Sequence, residues 1–200
     1  MSAAGRGPRR GGKRDVYGTP KYCVDRLLDV WKAPRGTWLE PGAGSGAIIR
    51  AVNARRGDVF WIAVEIRKST YAKLSATGAT TYIENFLRAP HAPVEAITVV
   101  LGNPPFRDAM AFIERAREVA PLAHVAFLLR TNFAESEERA AWFRRNAPDI
   151  YVLPNRPSFR GGKTDATSYA WFVWPPGTGR RAGTFRVLGS TPLVDRKVVA

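Results

Sequence analysis

Apolar positions along this chain change spacing repeatedly, and the alternation predicts helix and strand in turn. Thr19-Pro20 reads as a helix start, a hydroxyl cap followed by proline at the first helical position. Val24, Leu27, Leu28 and Trp31 then recur at helical spacing, and Pro34-Arg35-Gly36 ends the element. A short strand is expected over 37–40, a glycine loop over 42–46, and a helix carrying Ile48, Ile49 and Val52. Residues 59–66 read as a buried strand, 67–76 as a helix and 80–83 as a third strand. Residues 96–101 are apolar on both faces, as strands of a parallel sheet are. Asp108 caps a predicted helix with Phe112, Ile113, Ala116 and Ala120 on one side; a strand over 124–129 and a helix over 136–146 follow. Residues 150–153 and 168–174 are strand-like with only the loop 154–166 between them, which suggests an antiparallel pair.

These elements describe an α/β fold: a mostly parallel, seven-stranded sheet closed by an antiparallel C-terminal pair, with helices on both faces. One domain is expected over 15–178. Residues 1–14 form a Gly/Arg/Pro tail with too few apolar groups to pack, expected to be disordered, and 179–200 form a basic C-terminal extension. No apolar run approaches the roughly 18–20 residues a bilayer requires, and none near the start resembles a secretory signal. The single cysteine and two distant histidines argue against a disulfide or a metal site, so the chain reads as metal-free and cytoplasmic, in a bacterium or a phage-infected host.

Charge adds a partner. The chain carries 31 Lys and Arg against 17 Asp and Glu, a net charge of +14. Such a balance fits a polyanion such as nucleic acid, although an arginine-rich proteome produces the same excess.

Glu40-Pro41-Gly42-Ala43-Gly44-Ser45-Gly46 lies between a predicted strand and helix, where glycines let the backbone approach a ligand closely. Glu65 ends the next strand at about the 20-residue offset of a carboxylate that binds ribose hydroxyls. An adenosine-type cofactor follows. The loop lacks the G-x-G-x-x-G spacing of dinucleotide sites, and Glu40 would repel a pyrophosphate. A carboxylate there suits the sulfonium and amino group of S-adenosyl-L-methionine.

Asn103-Pro104-Pro105-Phe106 follows the fourth strand at the carboxyl edge, where open α/β sheets bind ligands. Aromatic amino groups are poor nucleophiles because the lone pair is delocalised into the ring. The Asn103 amide oxygen and a backbone carbonyl near Pro104 can accept both amino protons, which turns the lone pair out of the ring plane. The prolines fix φ and remove competing donors, and Phe106 offers a stacking surface. The chemistry is orientation and polarisation rather than strong base catalysis.

On these motifs the chain resembles the Rossmann-like class I amino-methyltransferases, in particular small phage-type DNA adenine methyltransferases, over about residues 15–175. The resemblance implies that Tyr17, Thr19 and Pro20 contact the methionine part of the cofactor. It implies that Glu40, Pro41, Gly42, Ala43 and Gly44 form the first cofactor motif, and that Glu65 and Ile66 hold ribose and adenine. Asn85 and Phe86 stand where the family usually has Asp-Phe, so the adenine contact there would come from an amide. Asn103 contributes to the cofactor site as well as to catalysis with Pro104, Pro105 and Phe106. The late loop implies Phe159 as the clamp on a flipped base, with Arg156, Arg160 and Lys163 as phosphate contacts. Trp171, Phe172 and Trp174 read as core.

The expected activity is methyl transfer to the 6-amino group of adenine in DNA. The chain leaves little room for a separate target-recognition region, so recognition would be short or relaxed, carried by the 154–166 loop and the tails. The alternatives are methylation of an adenine or guanine amino group in RNA and, against the +14 charge, methylation of protein glutamine.

Overall fold

The structure is a computed structural model and describes residues 18–88, 96–159, 167–177 and 182–196. In chain order it comprises α1 (Lys21–Leu28), β1 (Gly36–Pro41), α2 (Ala47–Asn53), β2 (Val59–Glu65), α3 (Tyr71–Ser75), β3 (Thr80–Ile83) and β4 (Ile97–Gly102). There follow α4 (Ala109–Val119), β5 (His124–Arg130), α5 (Glu137–Arg145), β6 (Asp149–Val152), β7 (Tyr169–Trp174) and β8 (Phe185–Val187). Short 3₁₀ turns at Lys68–Thr70, Phe106–Asp108, Thr131–Ala134 and Leu193–Arg196 complete the list.

The eight strands of the described residues join one sheet in the order β3-β2-β1-β4-β5-β7-β6-β8. Only β7 runs against its neighbours, wedged antiparallel between β5 and β6. The expected architecture holds, with one strand more than the seven read from the sequence. The addition, β8, is three exposed residues long and pairs parallel with β6, so it has no buried alternation to announce it.

The sheet divides the core into two layers. On one face α1, α2 and α3 bring Val24, Leu27, Ile48, Ile49, Val52 and Leu74 against Trp38, Trp61, Val99, Leu101, Leu128 and Trp171. On the other, α4 sets Phe112, Ile113 and Ala116 against Val100, Val125, Phe127, Phe172 and Trp174. Trp171, Phe172 and Trp174 are at most 1% exposed, as a core reading requires. The Trp171 indole N–H donates to the Cys23 carbonyl at 2.7 Å, tying β7 to α1.

Two helix starts differ from expectation. α1 begins at Lys21 with Pro20 outside it, and the Thr19 hydroxyl does not cap it. Asp108 occupies the cap position of α4, yet its side chain makes no capping bond. Local propensity located both termini, although neither side chain makes the capping bond. Among the described residues no helix is long and apolar enough to cross a membrane.

Candidate active site

The strand order reverses between β1 and β4, which is the point where open α/β sheets form a ligand crevice at their carboxyl ends. Four chemistry-bearing residues end adjacent strands there: Glu40 on β1, Glu65 on β2, Asn103 after β4 and Arg130 on β5.

The glycine loop turns from β1 into α2 with Gly42, Gly44 and Gly46 at φ of 69°, 58° and 81°. L side chains seldom adopt such angles, so this path requires glycine. At Gly46 a Cβ would also come within 2.7 Å of Thr77. The Gly42 and Ala43 N–H groups donate to the Val64 carbonyl at 2.8 and 3.1 Å, which fastens the loop to β2.

Glu65 is 3% exposed and its carboxylate is fully engaged. Oε2 accepts from the Gly44 N–H at 2.8 Å and from Arg67 Nη2 at 3.3 Å. Oε1 accepts from the Arg67 backbone N–H at 3.0 Å and from Arg67 Nε at 2.8 Å. Burial raises the pKa of this carboxyl, but the Arg67 guanidinium and the Gly44 N–H outweigh it and hold the group below its ordinary range.

Glu40 is equally buried, at 3%, but its Oε2 has no hydrogen-bond partner among the described residues. Burial pushes its carboxyl well above the usual carboxylate range; the Ile49 N–H and Arg50 oppose this, and the neighbouring Glu65 adds to it. A buried carboxylate oxygen left unpaired is costly unless a cation or donor arrives. That orphan, the glycine turn beside it and the Glu65 carboxylate on the next strand fit an adenosyl group with a cationic amino-acid end.

Ile66 follows Glu65 and is 44% exposed, an apolar surface at the strand end where the adenine was expected. Phe86 is instead buried against Phe112 at 5.3 Å, and Phe112 lies 3.6 Å from where a Cβ on Gly42 would stand. It supports the floor of the loop. The Asn85 Oδ1 accepts the Leu87 N–H at 3.1 Å, so one lone pair of that amide serves its own turn.

On the acceptor side, the Asn103 Nδ2 donates to the Thr19 hydroxyl oxygen at 3.1 Å. This bond engages one of the amide's two N–H donors and leaves Oδ1 without a hydrogen bond among the described residues. The residue expected to cap α1 therefore orients the residue expected to bind the acceptor. The Pro105 carbonyl accepts from Asp108 N–H at 2.9 Å and is committed to the following turn. Pro104 is buried, Pro105 exposed and Phe106 partly buried.

Phe106 packs on Tyr169 with ring centroids 5.6 Å apart, and Tyr169 packs edge-on to Phe159 at 5.1 Å. The late loop thus returns Phe159 to within one ring of the Asn-Pro-Pro-Phe run. Arg156, in the same loop, is exposed. Tyr17, Arg160 and Lys163 lie outside the described residues. Arg67, Arg130 and Tyr169 were missed by sequence reasoning. For Arg130 the available signal was a charged residue ending an apolar strand; Arg67 follows Glu65 by two residues, beyond the end of β2.

No protein-family model matches the chain. Residues of this chain are 35% identical over 112 positions to the type II methyltransferase M.XamI of Xanthomonas campestris pv. amaranthicola, a match over 50% of this chain and 20% of that protein. The chain therefore spans about a fifth of the length of that relative. Among solved structures it resembles the methyltransferase subunit of a type I restriction-modification system from Streptococcus thermophilus (TM-score 0.60, 17% identity, covering 81% of this chain and 45% of that one). It also resembles the 23S rRNA methyltransferase ErmE (TM-score 0.57, 18% identity, 85% and 71%). A third is an S-adenosylmethionine-dependent O-methyltransferase from Thermotoga maritima (TM-score 0.54, 15% identity, 81% and 66%). The fold is that of the class I, S-adenosylmethionine-dependent methyltransferases.

Proposed function

We propose that this chain methylates the 6-amino group of adenine in DNA, with short or relaxed sequence specificity, using S-adenosyl-L-methionine. The observation that carries the reading is the Thr19-oriented Asn103 amide, set on the strand adjoining the glycine loop and its unpaired Glu40 oxygen. The partial match to a type II methyltransferase and the likeness to a restriction-modification subunit support a DNA acceptor.

In this reading Glu40 would receive the cationic amino-acid end of the cofactor, Glu65 the ribose hydroxyls and Ile66 one face of the adenine. When bound, the cofactor supplies an electrophilic methyl group. Asn103 Oδ1 accepts one proton of the acceptor amino group, and the Pro104 carbonyl, which accepts no hydrogen bond among the described residues, accepts the other. With both protons held, the nitrogen lone pair leaves conjugation and turns toward the methyl donor. Phe106 and Phe159 supply ring faces for a base taken out of the stack, a step costing a few kcal/mol.

Radiolabelled methyl transfer to duplex DNA, single-stranded DNA, bulk RNA and protein, followed by nucleoside mass spectrometry, tests the proposal. The expected product is N6-methyladenine in DNA. Label confined to RNA would replace DNA with the acceptor class of the rRNA methyltransferase the chain resembles in fold. Label confined to protein would overturn a nucleic-acid acceptor altogether.

A further inference from the structure

Arg130 ends β5 directly opposite Tyr169 in the antiparallel register with β7, so both side chains leave the same face of the sheet. Its guanidinium carbon lies 4.3 Å from the centroid of the Phe106 ring. The Nε atom is buried and has no partner among the described residues. Two other arginines among the described residues carry a buried unpartnered nitrogen, Arg67 and Arg115. Both are ion-paired, Arg67 with Glu65 and Arg115 with Glu118, each at 2.8 Å. Arg130 has no such carboxylate among the described residues.

A guanidinium stays protonated, offers only donors and is costly to withdraw from water without an anion. Stacking on Phe106 offsets part of that cost but satisfies none of the N–H groups. The neighbouring groups are already suited to a base: the Asn103 oxygen to its amino group and the Phe106 ring to its face. Among the described residues no carboxylate pairs with Arg130.

We propose that Arg130 is the phosphate-binding residue of the acceptor site, pairing with a backbone phosphate of the strand that carries the target base. This inference rests on the nucleic-acid reading above. In the bound complex the planar guanidinium would keep its stack on Phe106 while its edge meets phosphate oxygens, a geometry to which arginine is better matched than lysine.

The test compares wild type with Arg130→Gln and Arg130→Lys. Binding of S-adenosylhomocysteine by calorimetry shows that each variant retains its cofactor site. Anisotropy then measures binding of labelled duplex and single-stranded DNA, with S-adenosylhomocysteine present, between about 50 and 200 mM salt. One lost phosphate contact reduces the log–log salt slope by about 0.9 on duplex and 0.7 on single strands. The wild-type advantage over Arg130→Gln should therefore shrink about threefold across that range, and Arg130→Lys should recover most of the slope.

An unchanged slope in Arg130→Gln, with transfer nevertheless impaired, would overturn the phosphate assignment in favour of a base-edge or purely packing role. That result leaves the proposed function standing. Wild-type protein that binds S-adenosylhomocysteine but neither form of DNA nor bulk RNA would overturn both.

Discussion

The two halves of the crevice are built on opposite electrostatic plans. On the β1–β2 side two carboxylates sit side by side: Glu65 is saturated by four donors from its own chain, while Glu40 keeps an oxygen without any. On the β4–β5 side the walls are aromatic, Phe106, Tyr169 and Phe159, and the uncompensated group is a cation, Arg130. Among the described residues one half thus holds an unpaired carboxyl oxygen and the other an unpaired guanidinium nitrogen. A cationic cofactor and a polyanionic acceptor are the pair of ligands that would complete both.

If the halves are separable, the largest effect should come from a residue on the acceptor side that leaves the other intact. Asn103→Ala should lower kcat by about 10²–10³-fold or more, the range for removing one positioned transition-state hydrogen-bonding group. Affinity for S-adenosylhomocysteine by calorimetry should change little. Substantial residual kcat would mean that the acceptor amino group is held elsewhere. Thr19→Val should show a weaker version of the same pattern, because it frees the amide to rotate rather than removing it.

Glu40→Gln probes the other half. Loss of a charge-assisted contact of about 1.5–3 kcal/mol corresponds to roughly 10–150-fold weaker cofactor binding. Stability of the free protein should move oppositely. A carboxyl whose folded pKa is raised contributes stability below its unfolded pKa and loses it as pH rises through the folded value. Between mildly acidic and neutral pH the wild type should therefore lose stability that Glu40→Gln retains, measured as Tm against pH without cofactor. Equal pH profiles would show that Glu40 is not the strained carboxylate.

Much of this division was legible in the chain itself, because it depends on strand ends. Apolar runs bounded by Gly, Pro and Asn locate the carboxyl edges, and the glycine loop and Asn-Pro-Pro-Phe run fall on two of them. What stayed hidden depends on contacts far apart in sequence. Thr19 looks like a helix cap until Asn103, 84 residues away, takes its hydroxyl. Arg130 looks like the solvated end of a strand until the register with β7 sets it across from Tyr169. Asn85 and Phe86 match a family motif by position, yet Asn85 bonds its own turn and Phe86 is buried beneath the glycine loop. Periodicity carries burial and element type; it does not carry the partner of a polar atom.

Phe159 tests how far the aromatic wall belongs to the acceptor side. Stacking is worth about 1–3 kcal/mol per base where measured, so Phe159→Ala should weaken duplex methylation on the order of tenfold. Single-stranded substrate, which needs no unpairing, should lose less. Equal losses on both would reduce Phe159 to an anchor of its loop on Tyr169.

The smallest expected effect is also the most discriminating, because its sign depends on pH. A carboxylate has about four lone-pair sites, and Gly44 and Arg67 fill all four on Glu65. A ribose hydroxyl can be accepted only by displacing one of these donors, and the longest bond, from Arg67 Nη2 at 3.3 Å, is the weakest held. Arg67→Met removes that competitor and should tighten S-adenosylhomocysteine binding a few-fold near pH 8, the end of the range that most favours an ionised Glu65. The same change removes the largest influence holding the Glu65 pKa down, and burial then raises it. As pH falls toward the carboxylate range, the variant protonates first and its affinity should drop below that of wild type. The folded protein should follow the same logic. Stability contributed by a depressed carboxyl is present above its unfolded pKa and lost as pH falls through the folded one, so the Tm deficit of Arg67→Met should be largest at neutral pH and shrink in acid. Calorimetry at pH 8 and pH 5.5 is sufficient: a cofactor affinity weaker than wild type at both would show that Arg67 is part of the ribose site rather than a competitor for it.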